Sequence, residues 1–257
     1  MNADPDCAEI DFSNVSPHGL FLHYQPIVSA ITGRVVAVEA LGRLRGANGY
    51  LMSAQALFES GGDASTTREL DRFVMREAIA TAQAWRRMGI QIPVHVNVTS
   101  STLVAHQSGK DHDWLHALRI DPTLITVEIT EAERITDLPA LIGFVRDSRA
   151  WGIEVAIDDF GCGNSTLALL QQIEVDVMKI DRRFIASLTG DHRSAAIVRS
   201  VIALAHEIGA RVVAEGVETD EAWSWLARAE CDMIQGYVIA RAMPPDAFVS
   251  WFETWKN

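Results

Sequence analysis

The sequence predicts an α/β fold of the (β/α)8 barrel type, with a doubly wound open sheet as the runner-up. Three observations carry this. Strand-like and helix-like patterns alternate about seven or eight times from near Phe21 to the end, as successive βα units require. No Pro/Gly/Ser-rich linker interrupts them, and 257 residues suits one large α/β domain. Polar residues stand at or near the C-terminal end of one strand after another, and in a barrel those ends form a single rim.

The elements follow in order. FLHYQPIV (Phe21–Val28) and RVVAVEALGR (Arg34–Arg43) read as paired strands joined by a turn at Thr32-Gly33. A helix comes next, with Leu70, Phe73, Val74 and Ala78 on one face. PVHVNV (Pro93–Val98) and LITVEI (Leu124–Ile129) are strands. Leu138, Leu141, Ile142 and Val145 mark an amphipathic helix that stops near Gly152. IEVAID (Ile153–Asp158), VDVMKI (Val175–Ile180) and RVVAEG (Arg211–Gly216) are short runs rich in β-branched residues. Between the last two, Ile197, Val201, Ala205 and Ile208 form a helical stripe, with Asp191 as N-cap and Gly209 as stop. CDMIQG (Cys231–Gly236) is a final strand before a helix from Pro245 to Trp255. The tryptophans, Trp85 and Trp225 among them, fall mostly at helical positions and read as packing.

Composition narrows the function. Twenty-two basic against 34 acidic residues give a net charge of −12. That balance argues against polymeric nucleic acid and anionic membrane, both of which need a basic face. A small anionic ligand is still compatible, because a bound cation reverses the local sign. Cys7, Cys162 and Cys231 are far apart and form no CxxC, which fits a reducing cytosol rather than a disulfide framework. No apolar run reaches the ~18–20 residues of a membrane span, and the polar start is no signal peptide. These features predict a cytoplasmic protein.

Glu39, Asn97, Glu128, Asp158, Lys179, Glu215 and Gln235 each lie at or near the C-terminal end of a different predicted strand. Brought to one rim, the acids and the amide, with Asp159 beside Asp158, make an oxygen-rich cage of the kind that suits Mg²⁺ or Mn²⁺. More carboxylates are present than one ion needs, so a pair of ions bridged by Asp158 is expected, as in two-metal phosphoryl chemistry. Lys179 adds a positive donor for a phosphate or for the water that attacks it. One or two such acids could simply cap helices; polar groups at so many strand ends at once point to a polar site. Weaker fragments carry little. Asp159–Gly161 spells DFG without the other kinase motifs. His112 and His116 lack a third zinc ligand, and Cys162 has no histidine near it in sequence.

Nine motifs then run in order: YQPIV at Tyr24, VEALGR at Val38, LDRFV at Leu70, VNVT at Val96, VEITE at Val127, IDDFG at Ile157, MKID at Met178, AEGVE at Ala214 and QGY at Gln235. With them the chain resembles the EAL domain family, phosphodiesterases that linearise cyclic di-GMP. The likeness covers residues 18–257 and leaves 1–17 as a short N-terminal extension, too short for a sensory module. It implies a TIM-like (β/α)8 barrel with an antiparallel first strand, which fits the predicted hairpin. It also implies that Glu39, Asn97, Glu128 and Asp158 hold a first cation and that Asp158, Asp159 and Glu215 hold a second. Lys179 would position water or stabilise the transition state, Glu218 would support the site, and Glu131 would anchor the loop after Asp159. Gln25, Leu41, Arg43 and Gln235 match positions that hold the ligand.

The departures are peripheral: Leu44 after the arginine, Thr99 for a serine, Cys162 and Asn164 in the DFGCGNST loop, and Ala242 for a proline. The resemblance therefore implies hydrolysis of cyclic di-GMP to linear 5′-pGpG with two Mg²⁺ or Mn²⁺ ions, Ca²⁺ being inhibitory. It further implies a homodimer, and a sensory or cyclase domain if the chain is part of a longer protein. The alternative from another class is a non-catalytic cyclic di-GMP receptor or protein-interaction module.

Overall fold

The structure, a computed structural model, describes residues 19–45, 51–53, 64–99, 102–103, 121–130, 137–161 and 166–255. Its strands are β1 (Leu20–Ser29), β2 (Val35–Arg45), β3 (Leu51–Ser53), β4 (Val94–Val98), β5 (Ile125–Thr130), β6 (Glu154–Phe160), β7 (Val177–Ile180), β8 (Arg211–Ala214) and β9 (Met233–Gln235). Pairing runs β1-β9-β8-β7-β6-β5-β4-β2, and β1 also pairs with β2, so eight strands close on themselves. β1 is antiparallel to both its neighbours, while every pairing from β2 through β4 round to β9 is parallel. The predicted barrel with an antiparallel first strand is what forms. β3 was not expected; it extends the sheet at the far end of β2.

The helices are α1 (Ala64–Arg87), α2 (Leu138–Ala150), α3 (Thr166–Leu170), α4 (Arg182–Ala186), α5 (His192–Glu207), α6 (Asp220–Arg228) and α7 (Pro245–Thr254). Side-chain caps set where several begin: Asp137 accepts from Ala140 N–H, Asp191 from Arg193 and Ser194, and Thr219 from Ala222. The expected stripe on α5 is partly displaced. Val201 and Ala205 are buried, but Ile197 and Ile208 are 43% and 44% exposed. The buried residues Ser194, Ala195, Val198, Val201, Ile202 and Ala205 define an arc centred near Val198, which leaves Ile197 and Ile208 on its outer shoulder.

Two layers of core result. A large cluster fills the space between sheet and helices, and a small one, Ile27, Ala37, Ala156, Val177, Val213 and Met233, plugs the barrel interior. Side chains alternate across a strand, so residues two apart share a face. One pleat above the plug therefore stand Gln25, Glu39, Asp158, Lys179, Glu215 and Gln235. The bottom of the hairpin is tied down by Trp223 Nε1–H to the Ala30 carbonyl and Trp255 Nε1–H to Gly33, both at 2.8 Å. No helix among the described residues is long and apolar enough to cross a membrane.

Candidate active site

Lys179 occupies the centre of the polar layer, fully buried. Its ammonium lies 2.6 Å from Glu215, 2.9 Å from Glu128, 3.3 Å from Asp158 and 3.4 Å from Glu39. Burial alone would discharge a lysine, but Asp158, Glu128, Glu215 and Glu39 outweigh it and hold the ammonium well above its usual range. The acids are not equally served by one cation. Burial pushes Glu128 and Glu215 up despite the pull of Lys179, and neighbouring carboxylates add to the rise. Glu39 is buried too, but Lys179 and the Gln235 amide bring it below the usual carboxylate value. Asp159 rises to about 7 through burial, then Asp158 and Asp181.

Hydrogen bonds fix the rest. Asn97 Nδ2 donates to Glu39 at 3.1 Å and to Glu128 Oε2 at 3.3 Å. Gln235 Nε2 donates to Glu39 at 2.7 Å and to Gln25 at 3.1 Å. β6 carries a local irregularity here: its pairing with β7 shifts between Ile157 and Phe160, and Asp159 takes φ 55°. The strand thus runs on to Phe160, past the loop start expected at Asp158–Asp159, and the irregular turn lets two consecutive acids face one cavity. That cavity, about 400 Å³, is lined by Gln25, Glu39, Leu41, Asp158, Asp159, Asp181, Arg182, Glu215, Gly216, Glu218, Gln235, Gly236 and Tyr237. Two glycines on its wall leave no room for a side chain: a Cβ at Gly216 (φ 64°) would run into Arg182, and one at Gly236 into the Val217 backbone.

Comparison with known proteins agrees with this arrangement. The EAL domain family model matches residues 13–242. The chain belongs to the EAL domain family. Among its relatives is a cyclic di-GMP phosphodiesterase of Pseudomonas aeruginosa, 32% identical over 240 residues, or 91% of this chain and 40% of that one. An Azorhizobium caulinodans relative is 38% identical over 88% of this chain and 32% of its own length, so the chain spans well under half of such relatives. The MucR phosphodiesterase of P. aeruginosa, solved with c-di-GMP, superposes with a TM-score of 0.82 at 30% identity, covering 90% of this chain and 94% of that one. Klebsiella pneumoniae BlrP1, solved with manganese and cyclic di-GMP, gives 0.73 at 30% identity over 89% and 57% of the two chains.

Within this EAL domain, the structure brings together nearly every residue singled out from the sequence. Carboxylate oxygens of Glu39, Glu128 and Asp158 lie within 4.8 Å of one another, and so do those of Asp158, Asp159 and Glu215. Asp158 belongs to both groups. Four carboxylates around one ammonium, with Asp159 beside them, are hard oxygen donors that fit divalent cations, which would neutralise the excess charge. Glu218 is exposed on the cavity wall. Arg43 stands apart from that lining, on the Glu39–Leu41 face of β2 but one pleat further out, where Nη1–H donates to the Gly42 carbonyl at 3.0 Å. Glu131, Cys162, Asn164, His112 and His116 lie outside the described residues.

Sequence reasoning missed several contributors. His95 sits one pleat below Asn97 with Nδ1 2.8 Å from Glu128 Oε1; burial, then Lys179, lower it to about 3. The period-2 pattern of VHVNV already placed His95 and Asn97 on one face. Asp71, in the LDRFV motif, accepts from Thr99 N–H at 3.1 Å and from the Thr99 and Thr102 hydroxyls at 2.6 Å each. It thereby latches the chain just past Asn97. Asp181 caps α4 through Arg183 N–H at 2.7 Å while lining the cavity.

Proposed function

We propose that this EAL domain is a cation-dependent phosphodiesterase that opens cyclic di-GMP to linear 5′-pGpG. The observation that carries the reading is the convergence of Glu39, Asn97, Glu128, Asp158, Asp159 and Glu215 around Lys179 on one barrel rim, with none of the expected donors replaced. The naming of relatives as cyclic di-GMP phosphodiesterases supports the substrate.

Glu39, Asn97, Glu128 and Asp158 would hold one Mg²⁺ or Mn²⁺, and Asp158, Asp159 and Glu215 a second. When bound, such cations supply the Lewis acidity that ionises water near neutral pH and offsets phosphoryl charge. The chain's own residues do the rest. Asp158 belongs to both groups and would contribute a ligand oxygen to each. Lys179 holds the acids in register and keeps a permanent positive charge beside the reacting phosphate, where charge develops in the transition state. Water attacks phosphorus in line, the bond to the 3′-oxygen breaks, and that oxygen leaves with a proton. Glu218 supports the outer wall. Gln25 and Gln235 offer amide edges to a guanine, Leu41 gives an apolar surface, and Arg43 reaches a phosphate from the upper rim.

The test is chromatography of cyclic di-GMP after incubation with protein and Mn²⁺. The expected result is conversion to pGpG, abolished by chelation. Ca²⁺ accepts irregular geometry where Mg²⁺ demands an octahedron, so Ca²⁺ should support binding without turnover. Tight binding with no hydrolysis in any of the three ions identifies a receptor instead.

A further inference from the structure

We propose that His95 is a positioning residue that makes Glu128 a one-oxygen ligand and thereby biases the site toward small octahedral cations over Ca²⁺. The inference rests on the reading of Glu128 as a cation ligand and adds to it a determinant of ion selectivity.

The geometry divides the two oxygens of Glu128. Oε2 faces the polar layer, 2.9 Å from Lys179 Nζ and 3.3 Å from Asn97 Nδ2, on the side where Glu39 and Asp158 converge. Oε1 is turned down to His95 Nδ1 at 2.8 Å. Both residues are buried, so no solvent competes for the contact. β4 and β5 pair with Asn97 beside Glu128 and His95 beside Thr126. The imidazole is therefore held one pleat lower than the carboxylate it touches, by backbone register rather than by a mobile side chain. A carboxylate engaged with a cation only accepts hydrogen bonds, so the shared proton sits on Nδ1 whichever state the ring is in.

The consequence lies in coordination chemistry. Ca²⁺ takes six to eight oxygens and often binds a carboxylate through both, whereas Mg²⁺ demands a regular octahedron of single oxygens. Chelation by Glu128 would require Oε1 to swing up and abandon His95. Holding it down leaves Oε2 alone for the ion. Partners that orient a ligand in this way typically change affinity by about 10–100-fold when removed.

The experiment compares wild type with His95→Leu and His95→Asn. Both substitutes branch at the same carbon and leave similar space, but only asparagine can place an N–H where Nδ1 was. Calorimetric titration with Mg²⁺, Mn²⁺ and Ca²⁺, in the absence of nucleotide, should show His95→Leu shifting the Ca²⁺-to-Mg²⁺ affinity ratio about tenfold toward Ca²⁺. His95→Asn should restore the wild-type ratio. Long-range ¹H–¹⁵N spectra of Mg²⁺-loaded wild type should show the proton on Nδ1. An unchanged ratio in a folded His95→Leu, an equal shift in both variants, or a bare Nδ1 overturns the proposal. A wild type that binds none of the three ions overturns the cation-site reading itself.

Discussion

At the N-terminal end of the barrel, Asp176 accepts Val155 N–H at 2.9 Å and Arg149 Nη1 at 2.6 Å. Asp232, placed alike before β9, accepts Val212 N–H at 2.8 Å and lies 2.9 Å from His206 Nε2. Each of these two acids has its own backbone N–H donor on the strand beside it. At the C-terminal rim, Glu39, Glu128, Asp158 and Glu215 all turn to the one ammonium of Lys179. The same residue type thus does two jobs in one fold. Acids with a backbone donor of their own close the open ends of strands; acids that crowd around one ammonium leave an excess of negative charge that bound cations or protons can offset. An excess of buried like charge costs stability, and a fold keeps it where binding repays it.

Removing the shared corner tests this contrast most strongly. Asp158→Asn should lower kcat by about 10³-fold or more, since both carboxylate groups lose the member they have in common. Its melting temperature should hold or rise, because one repelling charge disappears. A large loss of stability with normal turnover would put Asp158 with the structural acids of the other end. Lys179→Met comes next. Four acids would lose their buried counter-charge, and breaking such an arrangement costs about 3–5 kcal/mol. If the rim is built for cations, added Mg²⁺ or Mn²⁺ should restore part of the melting temperature, and a thermal scan with and without the ions decides it.

The barrel was legible in the sequence because parallel strands buried on both faces read as β-branched runs, and the polar residue ending each run marked the rim. What failed depended on packing the chain does not announce. The helical period of α5 allowed either Val198 or Val201 as its centre, and only the sheet beneath decides that Ile197 faces water. β6 continues through Asp159 because the irregular pairing after Ile157 absorbs a left-handed residue, which no local pattern specifies. His95 and Glu128 are 33 positions apart. The pleat places His95 inward, but only the β4–β5 register sets it against Oε1. Asp71 lies on a helix that precedes Thr99 by 28 positions, and nothing in LDRFV indicates what it will bind.

Asp71 belongs to neither end, and its removal sharpens the comparison by testing an acid with private partners that serves the rim. Asp71→Asn keeps the shape but weakens three bonds to the segment after Asn97. The loss should be about 1–3 kcal/mol in stability. Because Asn97 sits two residues before Thr99, kcat should also fall, by roughly tenfold, which is the lower end of what orienting partners supply. Denaturant melts and turnover measured on the same variant separate the two effects. A stability loss with unaltered kcat would make the Asp71 latch purely structural.

The smallest effect is expected at the opposite end, and it bounds the comparison from below. Asp176→Ala removes the acceptor for Val155 N–H and the partner of Arg149. Arg149 is partly exposed and also lies 3.3 Å from Glu174, so little is lost on that side. The N–H is the larger item, yet the Asp176 side chain is 25% exposed, so water can reach the vacated place. The net cost should be about 1 kcal/mol, or roughly 2–4 °C in a chain of this size. Turnover at saturating Mn²⁺ should match wild type, since Asp176 touches nothing at the rim and the plug of Ala156 and Val177 stands between. A drop in kcat larger than the drop in stability would show that the two ends are mechanically coupled through β6 and β7, and the division of labour between them would fail.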